Sequence, residues 1–151
     1  MKAFGVGVVF VLVLGLVWSG SLAAAADTSE FVVISHDGVD KMIDLGDGGD
    51  SAGDMTVWTN ALFDAKEAEQ VGTSNGYCVN LSSTHGPWQC TFILSMKEGD
   101  VVITAAQASK TGPYTGAIVG GTGAYADARG EVAYSPNQDR SKWSYSVKIS
   151  K

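Results

Sequence analysis

Ala117-Ile118-Val119-Gly120-Gly121-Thr122-Gly123-Ala124-Tyr125-Ala126-Asp127-Ala128-Arg129-Gly130-Glu131-Val132-Ala133-Tyr134 decides the fold. A short apolar run, 117–119, enters three glycines in four positions, and a second run resumes at Val132 after Gly130. Gly121-Thr-Gly123-Ala-Tyr-Ala126 fits the G-x-G-x-x-G/A fingerprint that follows a strand in dinucleotide-binding folds. Its surroundings do not fit. A helix opening at Ala124 meets Gly130 within two turns, and positions 141–143 (Ser, Lys, Trp) offer no acid for a ribose hydroxyl. The stretch therefore reads as a glycine-rich turn between two strands.

Outward from that turn the chain keeps the same grammar. Trp88 to Met96 alternates most clearly, placing Trp88, Cys90, Phe92, Leu94 and Met96 on one face. Lys142 to Ile149 alternates with Trp143, Tyr145, Val147 and Ile149. Strands are expected at 30–36, 55–63, 71–82 with a glycine-marked bend, 88–96, 101–107, 115–119, 128–135 and 142–149. A polar connection at 64–70 has room for one helical turn, and turns are expected at Ser83–Pro87 and Lys110–Pro113. Turn signals recur about every ten residues with no long helical period, which argues for an all-β sandwich or barrel. Eight strands suit a closed antiparallel barrel, which leaves no exposed edge and can hold one small ligand.

The chain has 151 residues. Met1-Lys2, an apolar run from Phe4 to Trp18 and Ala24-Ala25-Ala26 before Asp27 read as a cleavable signal peptide over 1–26. The apolar run is short for a membrane span. A domain over 27–151 is thus expected outside the cytoplasm, secreted or periplasmic, with no membrane contact after cleavage. It carries nine basic against sixteen acidic residues, net −7. That balance repels phosphate backbones and argues against a nucleic-acid partner. The aspartates of 44–54 recur every three or four residues rather than every two, so the segment reads as a solvated acidic loop rather than a calcium loop. Two cysteines and two distant histidines, His36 and His85, make no metal site.

Cys78 and Cys90 lie on the strands joined by the Ser83–Pro87 turn. Symmetric pairing about Thr84 sets position 78 opposite position 90, and export favours a disulfide. A one-residue slip would turn the two thiols to opposite faces.

Ile118-Val-Gly-Gly-Thr-Gly-x-x-x-x-Ala-Arg-Gly130 resembles the signature of dirigent proteins, as do His36-Asp37 after an apolar strand and Val71-Gly72-x-x-x-Gly76-Tyr77. Gly53-Asp54-x-x-x-x-Thr59-Asn60-x-Leu62, with Cys78 eighteen residues beyond Asn60, resembles the related allene oxide cyclases. The resemblance implies an eight-stranded barrel, a homotrimer, an apolar small molecule in the lumen and cofactor-free steering of a cyclisation or isomerisation. Departures stand beside it. Ala124 replaces the dirigent aspartate after Gly-Gly-Thr-Gly, Cys78 and Asn80 replace its tyrosines, and Gln107-Ala108 replaces the cyclases' proline-aromatic segment. The chain mixes halves of two sites.

The catalytic set that follows is Asp37, Asn60, Cys78 and Arg129, with His36, Trp58, Asn80, Tyr125 and Glu131 as substrate contacts. Asp37 is either a lumen acid–base group or a strand-end turn residue. His36 alternates to the opposite face, so one of the two is structural. Arg129 either neutralises an oxyanion or pairs with Glu131 on its own face. Asn60 can hold a water or a carbonyl, Trp58 shares its face, and Tyr125 can simply pack in the turn. No cofactor and no metal are expected. The alternative is a non-catalytic barrel that carries a hydrophobic ligand or has a structural role. Asp37 and Arg129 both facing a cavity would favour chemistry, and a lumen plugged by apolar side chains would favour the alternative.

Overall fold

A computed structural model describes residues 28–46, 48–82, 86–108 and 112–150. The expected signal peptide, positions 83–85 of the first turn and 109–111 around the second lie outside the described residues. Eight strands, β1 (Thr28–Ile43), β2 (Met55–Asp64), β3 (Gln70–Asn80), β4 (Trp88–Met96), β5 (Gly99–Gln107), β6 (Tyr114–Gly121), β7 (Arg129–Pro136) and β8 (Lys142–Ser150), follow one another around a closed antiparallel barrel. β1 pairs with β8 from Thr28↔Ser150 to His36↔Lys142 and closes the ring. Closure leaves no unpaired edge among the described strands.

The inward residues divide the lumen along its axis. In one half Leu62, Leu94, Val101, Ile103, Ile118, Val132, Val147 and Ile149 are each no more than 2 % exposed. Fully burying an aliphatic side chain contributes about 1.5–3 kcal/mol, so this packed half supplies much of the core energy. In the other half the same strands present larger, partly polar side chains. β4 runs from Trp88 and Phe92 to Leu94, and β8 from Trp143 and Tyr145 to Val147 and Ile149.

The glycine-rich stretch closes the packed end. β6 ends at Gly121, a single 3-10 turn spans Gly123–Tyr125, and β7 begins at Arg129. A Cβ on Gly121 would lie 2.3 Å from the Asp100 carbonyl oxygen and 2.5 Å from that of Tyr125. Only glycine lets the β4–β5 and β6–β7 connections pack this closely. The turn between strands stands, and no nucleotide-binding helix follows it.

Two expectations on elements change. The connection 65–69 holds no helix: the Asp64 carboxylate accepts the Ala68 and Glu69 N–H groups in a turn. β1 continues seven residues past His36, because Asp37-Gly38 is a bulge inside a strand rather than a turn that ends one. The partners jump from His36↔Ala61 to Val39↔Thr59, three steps on β1 against two on β2. A Cβ on Gly38 would sit 2.5 Å from the Thr59 carbonyl oxygen. Gly38→Ala is therefore expected to lower stability by about 1–3 kcal/mol, since backbone must move to admit the methyl group. A thermal melt within about one degree of the parent would contradict this.

Candidate functional site

The bulge builds the site. Inward alternation on β1 runs Val33, Ser35, Asp37, and the extra residue then resets it so that Asp40 and Met42 also face the lumen. Bulges commonly re-aim side chains beside functional sites. The open half encloses a cavity of about 770 Å³. Its wall is aromatic, made by Trp58, Trp88, Phe92, Tyr114, Tyr134, Trp143 and Tyr145. Thr56, Asn60, Cys78 and Gln107 complete it, and Asp50, Asp139 and Arg140 come from the loops at the mouth. The rings pack on one another: Phe92 meets Tyr134 edge-on at 5.3 Å, and Tyr134 stacks near Tyr145 at 5.9 Å. Such contacts hold the wall in shape.

Polar groups converge on one side. The Asn60 Oδ1 accepts the Gly38 N–H at 2.8 Å and so pins the bulge. The Asn60 side chain beside Asp40 favours the charged carboxylate but does not outweigh burial. Burial pushes the Asp40 carboxyl above its ordinary value, and the charge of Asp37 adds to the rise. The Asp37 N–H donates to the Ser141 carbonyl oxygen at 3.0 Å, tying β1 to the β7–β8 loop. Trp58 Nε1 donates to Ser74 Oγ at 3.3 Å. Burial raises the Tyr145 phenol, with Asp40 and Asp37 adding to the effect. Burial pushes the Tyr134 phenol up to about 12, while Gln107 donates to its hydroxyl at 3.1 Å. Both phenols are protonated donors at neutral pH, beside a carboxyl that takes up and holds a proton more readily than a free aspartate.

Of the expected catalytic set, Asp37 and Asn60 meet at this cavity, and Trp58 lines it with them. Cys78 also lines it, but as half of a disulfide to Cys90 with Cα atoms 4.0 Å apart, so it is no free nucleophile or acid. Arg129 does not join them. It stands on the outer face of β7 at the packed end, exposed, its Nη1 donating to the Ala128 carbonyl oxygen. Val132 and Tyr134 point inward, so strand alternation sends 129 and 131 outward. Glu131 is accordingly exposed, opposite Lys148 on β8. Tyr125 packs beside Phe31 at the packed end, ring centroids 6.1 Å apart. His36 faces outward, stacked on Phe63 at 4.3 Å, with Nε2 2.6 Å from a Glu67 carboxylate that Lys142 also holds. Asn80 is buried near the mouth, but its Oδ1 accepts the Ser82 N–H and it does not line the cavity. In the acidic loop, Asp54 accepts the Leu45 and Ser51 N–H groups, which hold its carboxyl below the usual range.

Sequence reasoning passed over Asp40, Tyr134 and Tyr145 as site residues. The alternation of β8 already set Tyr145 beside Trp143 on the inner face. For Asp40 the signal was Gly38, the one residue that lets a bulge form there.

No family profile and no curated protein matches the chain. Among solved structures it is similar to a pyocyanin demethylase (TM-score 0.71, 23% identity, 80% of this chain and 99% of the other). It is also similar to a pterocarpan synthase dirigent protein (TM-score 0.66, 18% identity, 82% and 84%) and to an exo-specific intermolecular Diels-Alderase (TM-score 0.65, 11% identity, 84% and 99%). At these identities what is shared is architecture: the chain has the closed eight-stranded barrel fold of dirigent proteins and Diels-Alderases.

Proposed function

We propose that the barrel takes an apolar, oxygen-bearing small molecule into its open half and steers its cyclisation or isomerisation there without a cofactor. The one-sided lumen carries this reading: about 770 Å³ of space walled by aromatic rings, with Asp37, Asp40 and Asn60 together on one side. Ligand sites have this character and span about 300–1,000 Å³. Rigid aromatic walls fix the conformation of a reactive intermediate and exclude water. Asp40 moves the proton, and Tyr145 donates to an oxygen on the ligand. The similar barrels named as a pterocarpan synthase and a Diels-Alderase support the class of reaction.

The test is stereochemical. Fatty-acid epoxides and phenolic radicals that give racemic products in water are incubated with the protein and resolved by chiral chromatography. An enantiomeric excess is expected with one class, and Asp40→Asn is expected to slow its formation by about a hundredfold. Product ratios unchanged by the protein for every substrate would overturn the reading. They would favour a non-catalytic carrier, a role supported by the outward position of Arg129 and the apolar plug in the other half.

Export from the cytoplasm and a homotrimeric assembly belong to the same proposal. The disulfide supports an oxidising compartment. Val32 and Val119, 41 % and 47 % exposed on the outer wall, are apolar surface that a trimer can cover. Light scattering at micromolar concentration is expected to give three chain masses, and one chain mass would contradict the trimer.

A further inference from the structure

We infer that the molecule in this cavity is, as bound, a planar organic cation, held by the aromatic wall and by the carboxylates of the lumen and its mouth. The inference rests on the ligand-binding reading above and adds the charge of the ligand.

Three observations carry it. First, tryptophan and tyrosine side chains dominate the wall, and the negative face of such rings attracts cations. Second, the protein already uses the wall in this way. The Arg140 guanidinium carbon sits 5.1 Å from the centroid of the Trp143 ring, at the mouth. Third, the charge of the described lining is lopsided. Asp37 and Asp40 on one side of the lumen and Asp50 and Asp139 at the mouth stand against Arg140 in the lining. An acidic mouth over low-dielectric walls focuses a negative potential into the cavity, concentrating cations and repelling anions.

The crowding of Asp37 and Asp40 points the same way. The bulge brings the two carboxylates to one side of the lumen, where their mutual repulsion disfavours the doubly ionised state. A positive centre between the aromatic wall and this pair relieves the repulsion. A neutral ligand leaves it in place, and an anion worsens it. A volume of about 770 Å³ has room for a molecule of two or three fused rings bearing a quaternary nitrogen or an oxygen-stabilised carbocation.

Isothermal titration of the purified protein with three ring-matched probes at pH 8 tests the charge. N-Methylacridinium is a fixed cation, acridine is neutral at this pH, and acridine-9-carboxylate is an anion. At about 20 mM salt the cation is expected to bind about tenfold more tightly than acridine, with the carboxylate weakest. Raising salt to about 300 mM is expected to narrow the gap, as is the double substitution Asp37→Asn, Asp40→Asn, which should reduce it below about threefold. Acridine binding as tightly as the cation would remove the positive charge and leave the ligand-binding reading standing. Failure of all three probes to bind would remove both. The parent protein's ratio decides even if the double variant does not fold.

Discussion

Phe92→Ala is expected to lower unfolding free energy by about 3–5 kcal/mol. Phe92 is 2 % exposed and sits at the junction of the packed and open halves. Its ring meets Trp58 at 6.1 Å, Tyr134 at 5.3 Å and Tyr145 at 5.8 Å. Truncation removes the transfer energy of the ring and deepens the cavity, because closed strands cannot move inward to fill the gap. Each lost aromatic pair adds about 0.5–1.5 kcal/mol. Phe92→Leu keeps most of the volume and is expected to cost no more than about 1.5 kcal/mol. Denaturant midpoints for the two variants measure the difference. A loss below about 1 kcal/mol for the alanine variant would mean that the wall collapses freely, and the lumen would then not be a preformed site.

The second large effect belongs to the disulfide. Cys78 and Cys90 face each other in the β3–β4 register, twelve residues apart in sequence. Closing a loop of about that length stabilises by roughly 3 kcal/mol in the chain-entropy account. The double variant Cys78→Ala, Cys90→Ala is expected to lose about 2–4 kcal/mol and to gain a small space in the lumen wall. Thiol titration of the unfolded, unreduced protein is expected to find no free thiol. Two free thiols would contradict the bridge and restore Cys78 as a reactive group.

The elements that alternate without interruption were legible from sequence. Trp88 to Met96 and Trp143 to Ile149 put the right side chains inside, because a strand buried on one face writes its period of two directly into its residues. The pairing of 78 with 90 followed from a hairpin whose midpoint fixes its register. Parity broke where the backbone does. The bulge at Asp37-Gly38 inserts one residue, which flips every later side chain of β1 to the other face. Asp40 therefore enters the lumen by a step that no alternation rule contains. Arg129 failed for a different reason. Val132 and Tyr134 face inward, so alternation alone sends 129 outward, and the motif that contains Arg129 carries no information about which face it occupies. The division into an aliphatic plug and an aromatic cup could not be read strand by strand. Each strand carries one aliphatic end and one aromatic or polar end, and only the closed barrel brings like ends together.

A crystal structure of the protein grown with a bound planar aromatic ligand tests the central claim most directly. The ligand is expected inside the open half, against Trp58, Tyr134 and Tyr145 and within reach of Asp40. A ligand seated on the outer wall, or a lumen closed over by Trp88 and Trp143 with the ligand excluded, would contradict it.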